Sequence, residues 1–430
     1  MKQTDTASPA EPVLVEYAKA VYPRWLSATR PEDYLNGNPW QRTDDPQRSA
    51  LSGMFETDPL LSTLYPSPAT DFRGRRGWCL TNSGGGSLFE GDFVADALLS
   101  AWDDTWLNDG DITLERFLRN VSQGHANLVR GLQGKQIDVK IRAGIGGLAL
   151  PHGMPSVQLP QGEVRQLGES GKHWLATRSH ELFDRGLSQP IELIFETSIT
   201  TLLKVIAAPS EENEAKNTVE DGPWHERELL WQRIRFVLAL VTSHRIEEMW
   251  THITYPVGDW NTLSRMSRLN PHTLSEVQVR DWQRLTNAAF TRRLKHIDVT
   301  IDKLPLLLDG STNPFDLLLN SVIVWENLFG STVDASLRIT AAAAWVLERE
   351  TEKRFQRFKQ LKETYSLRSR VVHGAEPLQP KHFEHVFEAR KTTFALVKEV
   401  LEHYPSLIDL KSSSDRSQKI LLSGDDCREG

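Results

Sequence analysis

Arg368 and His373 stand five positions apart in the run Tyr365, Ser366, Leu367, Arg368, Ser369, Arg370, Val371, Val372, His373, Gly374. Histidine titrates near neutrality, so it can move a proton on or off a ribose hydroxyl. A guanidinium stays charged and can grip a phosphate through two hydrogen bonds. Together the two can cleave a phosphodiester through the neighbouring 2′-hydroxyl without needing a metal. The spacing carries information of its own. Five steps at ~100° per residue put the side chains ~140° apart on a straight helix. Either the helix ends before His373, which Gly374 permits, or a second copy of the chain completes the site.

The bare pattern is common. Arg119 and His125, Arg245 and His252, and Arg265 and His272 show similar spacing in a chain with 13 histidines. At any of them, Arg and His at a helix end can simply cap carbonyls. Glu326 is a further candidate. It interrupts the apolar run 317–329, and a carboxylate there needs a partner, which Arg368 can supply. A structural ion pair and a support for an active site look the same at this level. His382, His385 and Glu388 have metal-ligand spacing on a helix, but no fourth ligand suggests itself, and a polar face opposite Phe383 and Phe387 explains them. The glycine-rich stretch 83–91 lacks the lysine of a phosphate-cradling loop. The cluster Arg73, Arg75 and Arg76 is a thin basic patch.

The elements that must position these residues follow from periodicity. Phe290, Leu294, Ile297, Ile301 and Leu304 recur at spacings of four and three, an apolar helix stripe. Asn313 and Pro314 cap and open the next helix, which runs to Phe329 and stops at Gly330. Residues 335–349 form a third helix. Residues 351–372 form a fourth, with Phe355, Phe358, Leu361 and Tyr365 facing inward and His373–Gly374 as the stop. Pro380 starts a fifth, with Phe383, Phe387, Phe394, Val397 and Leu401 on one face.

The N-terminal part reads differently. Helices are expected at 13–25, 95–107, 114–132 and 226–241, and irregular structure with short elements at 36–91. Residues 137–142 alternate apolar and polar, as a half-buried strand does. Further strands are expected at 147–150, 191–199, 203–207 and 253–257, with a solvated acidic loop from Ser210. The expected fold class is α+β: a flexible start at 1–12, a mixed α/β region at 13–265, an all-α bundle at 273–407 and a disordered tail at 411–430.

Composition bounds the setting. With 39% hydrophobic and 25% charged residues the chain can fold. No apolar run is long enough for a membrane helix, and the N-terminus lacks a signal-peptide core. Two cysteines exclude a disulfide framework and point to the cytoplasm. A net charge of −7 argues against a sequence-blind nucleic-acid coat, but not against one local basic groove.

The stretch 313–329, the Ala-rich helix after it, and the run 365–374 together resemble the Apea-like branch of the HEPN superfamily. That branch shows an apolar helix ending in a Glu-x-Leu-Phe type sequence and a later helix ending in Tyr-x-x-Arg-Ser-x-x-x-His-Gly. The resemblance covers roughly 285–404, under a third of the chain. It implies a helical bundle that dimerises and acts as a metal-independent endoribonuclease in toxin–antitoxin or phage-defence systems, with no cofactor. By position, Arg368 and His373 match the family's catalytic pair and Glu326 its helix-embedded acidic residue. His373 is then the proton-transfer residue and Arg368 the phosphate clamp, while Arg370, Ser369 and Tyr365 are expected at the RNA. Ser369 departs from the Asn, Asp or His that often follows the catalytic Arg. The implied partners are RNA, a second copy through the bundle, and a phage or antitoxin protein as trigger, with the N-terminal region as sensor. The alternative is a non-catalytic HEPN module that binds nucleotide, RNA or a partner, as an antitoxin or a dimerisation scaffold.

Overall fold

A computed structural model describes residues 10–27, 69–70, 76–80, 86–89, 93–108, 110–178, 191–202, 205–207, 223–254, 259–263, 271–292, 294–308 and 313–429. The arginine cluster's side chains, most of 36–91 with its glycine-rich stretch apart from 86–89, the acidic loop and residues 1–9 of the expected flexible start lie outside the described residues. In chain order come helix α1 (Ala10–Ser27), strands β1 (Ala69–Thr70), β2 (Arg76–Leu80) and β3 (Gly86–Phe89), and helices α2 (Phe93–Leu107) and α3 (Leu114–Leu132). Strands β4 (Gln136–Gly146), β5 (Leu148–Ala149), β6 (Ser156–Leu159) and β7 (Gly162–Gln166) follow, then helix α4 (Glu169–Arg178). Next are β8 (Leu193–Leu202), β9 (Val205–Ala207), helix α5 (Pro223–Thr242), and strands β10 (Glu247–Thr254), β11 (Asp259–Leu263) and β12 (His272–Thr273). The rest is helical: α6 (Glu276–Thr291), α7 (Asp298–Lys303), α8 (Pro314–Phe329), α9 (Ala335–Leu347), α10 (Thr351–Val372), α11 (Phe383–His403), α12 (Pro405–Ile408) and α13 (Ser413–Ser423). The chain is therefore α+β. Among the described residues no helix is long and apolar enough to cross a membrane.

Two compact units interleave along the chain rather than meeting at one boundary near 270. One takes residues up to 146, 161–228 and 248–268; the other takes 147–160, 229–247 and everything from 269. In the first, strands run in the order β11-β10-β4-β8-β7. β8 pairs antiparallel with both β4 and β7, and β10 does so with β11. Strand β4 alternates exposed and buried at its start, then is buried on both faces from Ile141 onward. That second half includes Arg142, whose guanidinium is wholly enclosed. It donates to Asp104 Oδ1 (2.7 Å), Glu196 Oε2 (2.6 Å) and Asn108 Oδ1 (3.1 Å). Burial alone would push the Asp104 carboxyl up, but the charges of Arg142 and Lys140 outweigh it and hold it at about 2.

In the second unit the bundle is built round α8. Asn313 caps its first turn by accepting from the Phe315 amide (3.0 Å), with Pro314 at the first position. Trp325, Leu328 and Phe329 are fully buried, and Trp325 Nε1 donates to Thr393 Oγ1 (2.9 Å) on α11. Gly330 is the C-cap with an extended backbone, and a Cβ there would lie 2.3 Å from the Glu326 carbonyl oxygen, so the position suits glycine.

Four expectations need correction. The stripe from Phe290 to Leu304 is not one helix: α6 ends at Thr291, and a 3-10 turn (Leu294–Ile297) re-aims the chain before α7. Its apolar residues from Leu294 onward are still buried. Phe355 does not face inward but is 51% exposed, and Phe387 is 46% exposed although Val397 and Leu401 on its expected face are buried. Residues 10–12 are not part of a flexible start but begin α1. The expected disordered tail contains α13, capped by Ser412. Its anchor is Arg416, which is buried and donates to the carbonyls of Leu328 (2.8 Å), Asn327 (2.6 Å) and Leu410 (2.6 Å). Two of those carbonyls belong to the last turn of α8, which leaves its carbonyls without helical partners. Burial, only partly offset by Asp415, pulls the Arg416 guanidinium down to about 10, so it remains charged at neutral pH.

Arg416→Met leaves three buried carbonyls unmatched. It is expected to destabilise the protein by about 2–3 kcal/mol, read as a fall in the urea midpoint. Arg416→Lys should recover little, because one ammonium cannot reach all three acceptors in the same geometry.

Candidate functional site

Helix α10 presents its inner face to α8 at one polar spot. Glu326 accepts the Tyr365 hydroxyl on Oε1 (2.8 Å), and its Oε2 lies 3.5 Å from the Arg368 guanidinium. Glu326 and Tyr365 are half-buried, and the Arg368 side chain is 20% exposed with its Nε enclosed. One carboxylate thus serves a phenol and a guanidinium one helical turn apart on the same helix. Burial, with the Glu326 carboxylate as the second cause, pushes the Tyr365 phenol up to about 12. The phenol therefore stays protonated and donating through the neutral range.

His373 lies elsewhere. The helix does not stop short of it: α10 runs to Val372, and His373 keeps near-helical angles (φ −85, ψ 8) as the C-cap. Its amide donates to the Ser369 carbonyl (3.0 Å), and its side chain is exposed. Gly374 then turns the chain with φ +71. The Ala375 amide reaches the Arg370 carbonyl (2.9 Å) and the Gly374 amide reaches that of Val371 (3.2 Å). These two bonds are the Schellman pair, which needs a residue at ease with positive φ. Among the described residues no hydrogen bond or ion pair links Arg368 with His373, as the helical phase requires.

The turn brings in a residue that spacing along the chain did not suggest. Glu376 folds back over Arg370 and accepts its Nε (2.8 Å), while its other oxygen takes His382 Nε2 (3.2 Å). The Gln379 amide donates to His382 Nδ1 (3.2 Å), so the ring carries its proton on Nε2. Only the Schellman turn makes this contact possible, and Gly374 is the one sequence sign of it. His382 and Glu388 are thereby engaged elsewhere than at a metal, since Glu388 accepts from Arg357 (3.2 Å).

Of the sequence-derived candidates, Glu326, Tyr365 and Arg368 come together. Arg370 and His373 sit round the helix from them, and Ser369 contributes its backbone carbonyl to the His373 cap. The rival pairs are placed differently. His125 and His252 are buried, His252 with Asp103 at 3.4 Å, and His272 stacks on His244. His373 is the exposed one.

Two outcomes are expected. In an alkaline titration followed by phenolate absorbance, subtracting the Tyr365→Phe curve from wild type should leave one tyrosine ionising near 12 rather than 10.0. Its bond to Glu326 holds below the ordinary tyrosine range and is lost as pH rises through that value. Gly374→Ala should cost about 1–2 kcal/mol in denaturant unfolding, the strain of an L-residue in the left-handed region, although the added methyl meets no neighbour.

Compared with known proteins, the chain matches no protein-family model, no curated protein and no solved structure.

Proposed function

We propose that this protein is a metal-independent endoribonuclease of the HEPN kind, whose site is completed by a second copy of the chain. The observation that carries the reading is His373, exposed and fixed at the end of the helix that also holds Arg368 against Glu326. His373 moves the proton of the attacking 2′-hydroxyl. Arg368 holds the phosphate and the charge that builds up on it in the transition state. Glu326 orients Arg368, and the protonated Tyr365 fixes Glu326. Since one chain turns Arg368 and His373 to different sides, a two-fold dimer through the bundle joins the Arg368 of one copy to the His373 of the other.

The first unit is the sensor in this reading. It holds a pocket of about 370 Å³ whose lining includes Asp104, Asn120, Gln123, Lys140 and Thr254. The role is that of a cytoplasmic defence or toxin-type effector, released by a phage or antitoxin protein. A second reading has one observation in its favour. Arg368 is mostly enclosed and paired, which suits a structural tie in a non-catalytic module that binds RNA, nucleotide or a partner.

Cleavage of labelled structured RNAs in EDTA separates the two. Wild type should cleave, and correctly folded Arg368→Ala and His373→Ala should each lose the activity by at least about a hundredfold. Mixing the two inactive variants should restore about a quarter of wild-type activity: half the dimers are mixed, and each of those has one intact site. Loss in both variants without recovery on mixing would remove the shared site. Full activity in both would remove the ribonuclease reading at these residues.

A further inference from the structure

Helix α10 has a second face that the Glu326 cluster does not use. At ~100° per residue, Phe355, Lys359, Lys362, Ser366, Arg370 and His373 fall within a sector of ~80°. His373 comes back into phase with Phe355, whereas Arg368 lies ~140° away. Between Phe355 and His373, on the middle of this stripe, lies an open groove of about 470 Å³, walled by Lys359, Lys362, Ser366 and Arg370 on α10 and by His382 and His385 opposite. Glu363 is the one carboxylate on the wall. Three permanent cations leave the groove net positive even with Glu376, behind Arg370, counted. That charge sits on a chain whose total is −7.

We propose that this stripe is a track for the backbone of single-stranded RNA, leading to His373. The identity of the nucleic acid rests on the ribonuclease reading; the track itself rests on three observations. First, the groove is preset. Arg370 commits its Nε to Glu376, and Glu376 is tied in turn to His382 (3.2 Å), so the terminal nitrogens of Arg370 are held at the groove wall without being spent on that bond. Second, aromatic surface lies beside the cations. The Lys359 ammonium lies 4.3 Å from the centroid of the half-exposed Phe355 ring, and that of Lys362 lies 5.8 Å from Phe358. A phosphate-only ligand has no use for Phe355, whereas an unstacked base does. Third, the direction is fixed. From Lys359 to Arg370 the stripe covers ~16 Å of helix and ends one turn from the exposed His373. Phosphates held along it would deliver the next ribose to the proton-transfer residue.

The test is binding of a short labelled 2′-O-methyl oligouridine, which cannot be cleaved through its 2′-oxygen, to the full-length protein. Anisotropy is read across about 50 to 200 mM salt. Wild type should bind with a clear salt slope. The double variant Lys359→Gln, Lys362→Gln should lose about 1.4 from that slope, ~0.7 for each phosphate contact removed. Phe355→Ala should weaken binding about tenfold with the slope unchanged. Lys353→Gln, at the opposite phase of the same helix, should match wild type. An unchanged slope in the double variant overturns the track. So does an unchanged affinity in Phe355→Ala together with equal competition by inorganic tripolyphosphate, which would make the groove a plain anion site. A shift in the sedimentation of the double variant without a loss of RNA affinity overturns it too, in favour of a contact between copies. The two proposals fail separately. If His373-dependent cleavage persists in the double variant with unchanged KM, the track falls and the ribonuclease stands. If the track binds as expected but no 2′-hydroxyl RNA is cut, the ribonuclease falls and the track stands.

Discussion

A helix that advances ~100° per residue decides what this bundle can do with its polar groups. Residues three apart, such as Tyr365 and Arg368, share a face and can share one carboxylate. Residues five apart, such as Arg368 and His373, cannot meet unless the helix breaks between them. It does not break: the Schellman bonds close α10 only after His373, and Gly374 takes the left-handed turn. The phase that separates His373 from Arg368 also aligns it with Phe355, Lys359, Lys362, Ser366 and Arg370. One helix thus carries a half-buried charge cluster on one side and a solvated basic stripe on the other.

The two sides differ in energetic character. Glu326 sits in an otherwise apolar helix, and leaving its carboxylate unpartnered there would be costly. Tyr365 and Arg368 remove that cost together: the phenol with a short hydrogen bond, the guanidinium with a looser ion pair at 3.5 Å. A guanidinium held loosely by one oxygen can still turn a nitrogen toward a phosphate; one locked in a close two-bond pair cannot. The basic stripe lies mostly in water, where each cation contributes little to folding. Its lysines therefore add little to the stability of α10.

Much of the fold was legible because it is local. Helices α2 and α3 and the start of β4 announce themselves through the spacing of their own apolar residues. Arg142 was not legible. It continues the alternation of β4 as a polar position, yet lies fully enclosed among Asp104, Asn108 and Glu196, which are 34 to 54 residues away in sequence. Periodicity cannot report a charge buried by distant partners. The same blindness made the C-terminal segment look disordered. Its Ser, Asp and Arg composition is that of a tail, but Arg416 reaches the open end of α8, 88 residues earlier. Phe355 failed for a different reason. An aromatic at helical spacing reads as core, and only the packed structure shows which of two adjacent faces is covered.

The site divides along the same line. Glu326 and Arg368 could be paired from sequence, since a carboxylate in an apolar helix demands a cation and the run ending at Gly374 supplies one. Glu376 could not, because its contact with Arg370 exists only after the turn at Gly374 has folded the chain back. That turn is also what gives His373 a fixed place at the end of α10 instead of a free one in a loop. In the proposed ribonuclease a proton-transfer residue needs such placement more than it needs a close neighbour, because its partner need only arrive with the substrate or the second copy. His373 is fixed by backbone bonds, and among the described residues neither ring nitrogen has a hydrogen-bond or ion-pair partner. The cost is that, among the described residues, no group orients the ring. In the proposed ribonuclease, an RNA ribose lying at the end of the basic stripe, or a second copy facing α10, supplies it.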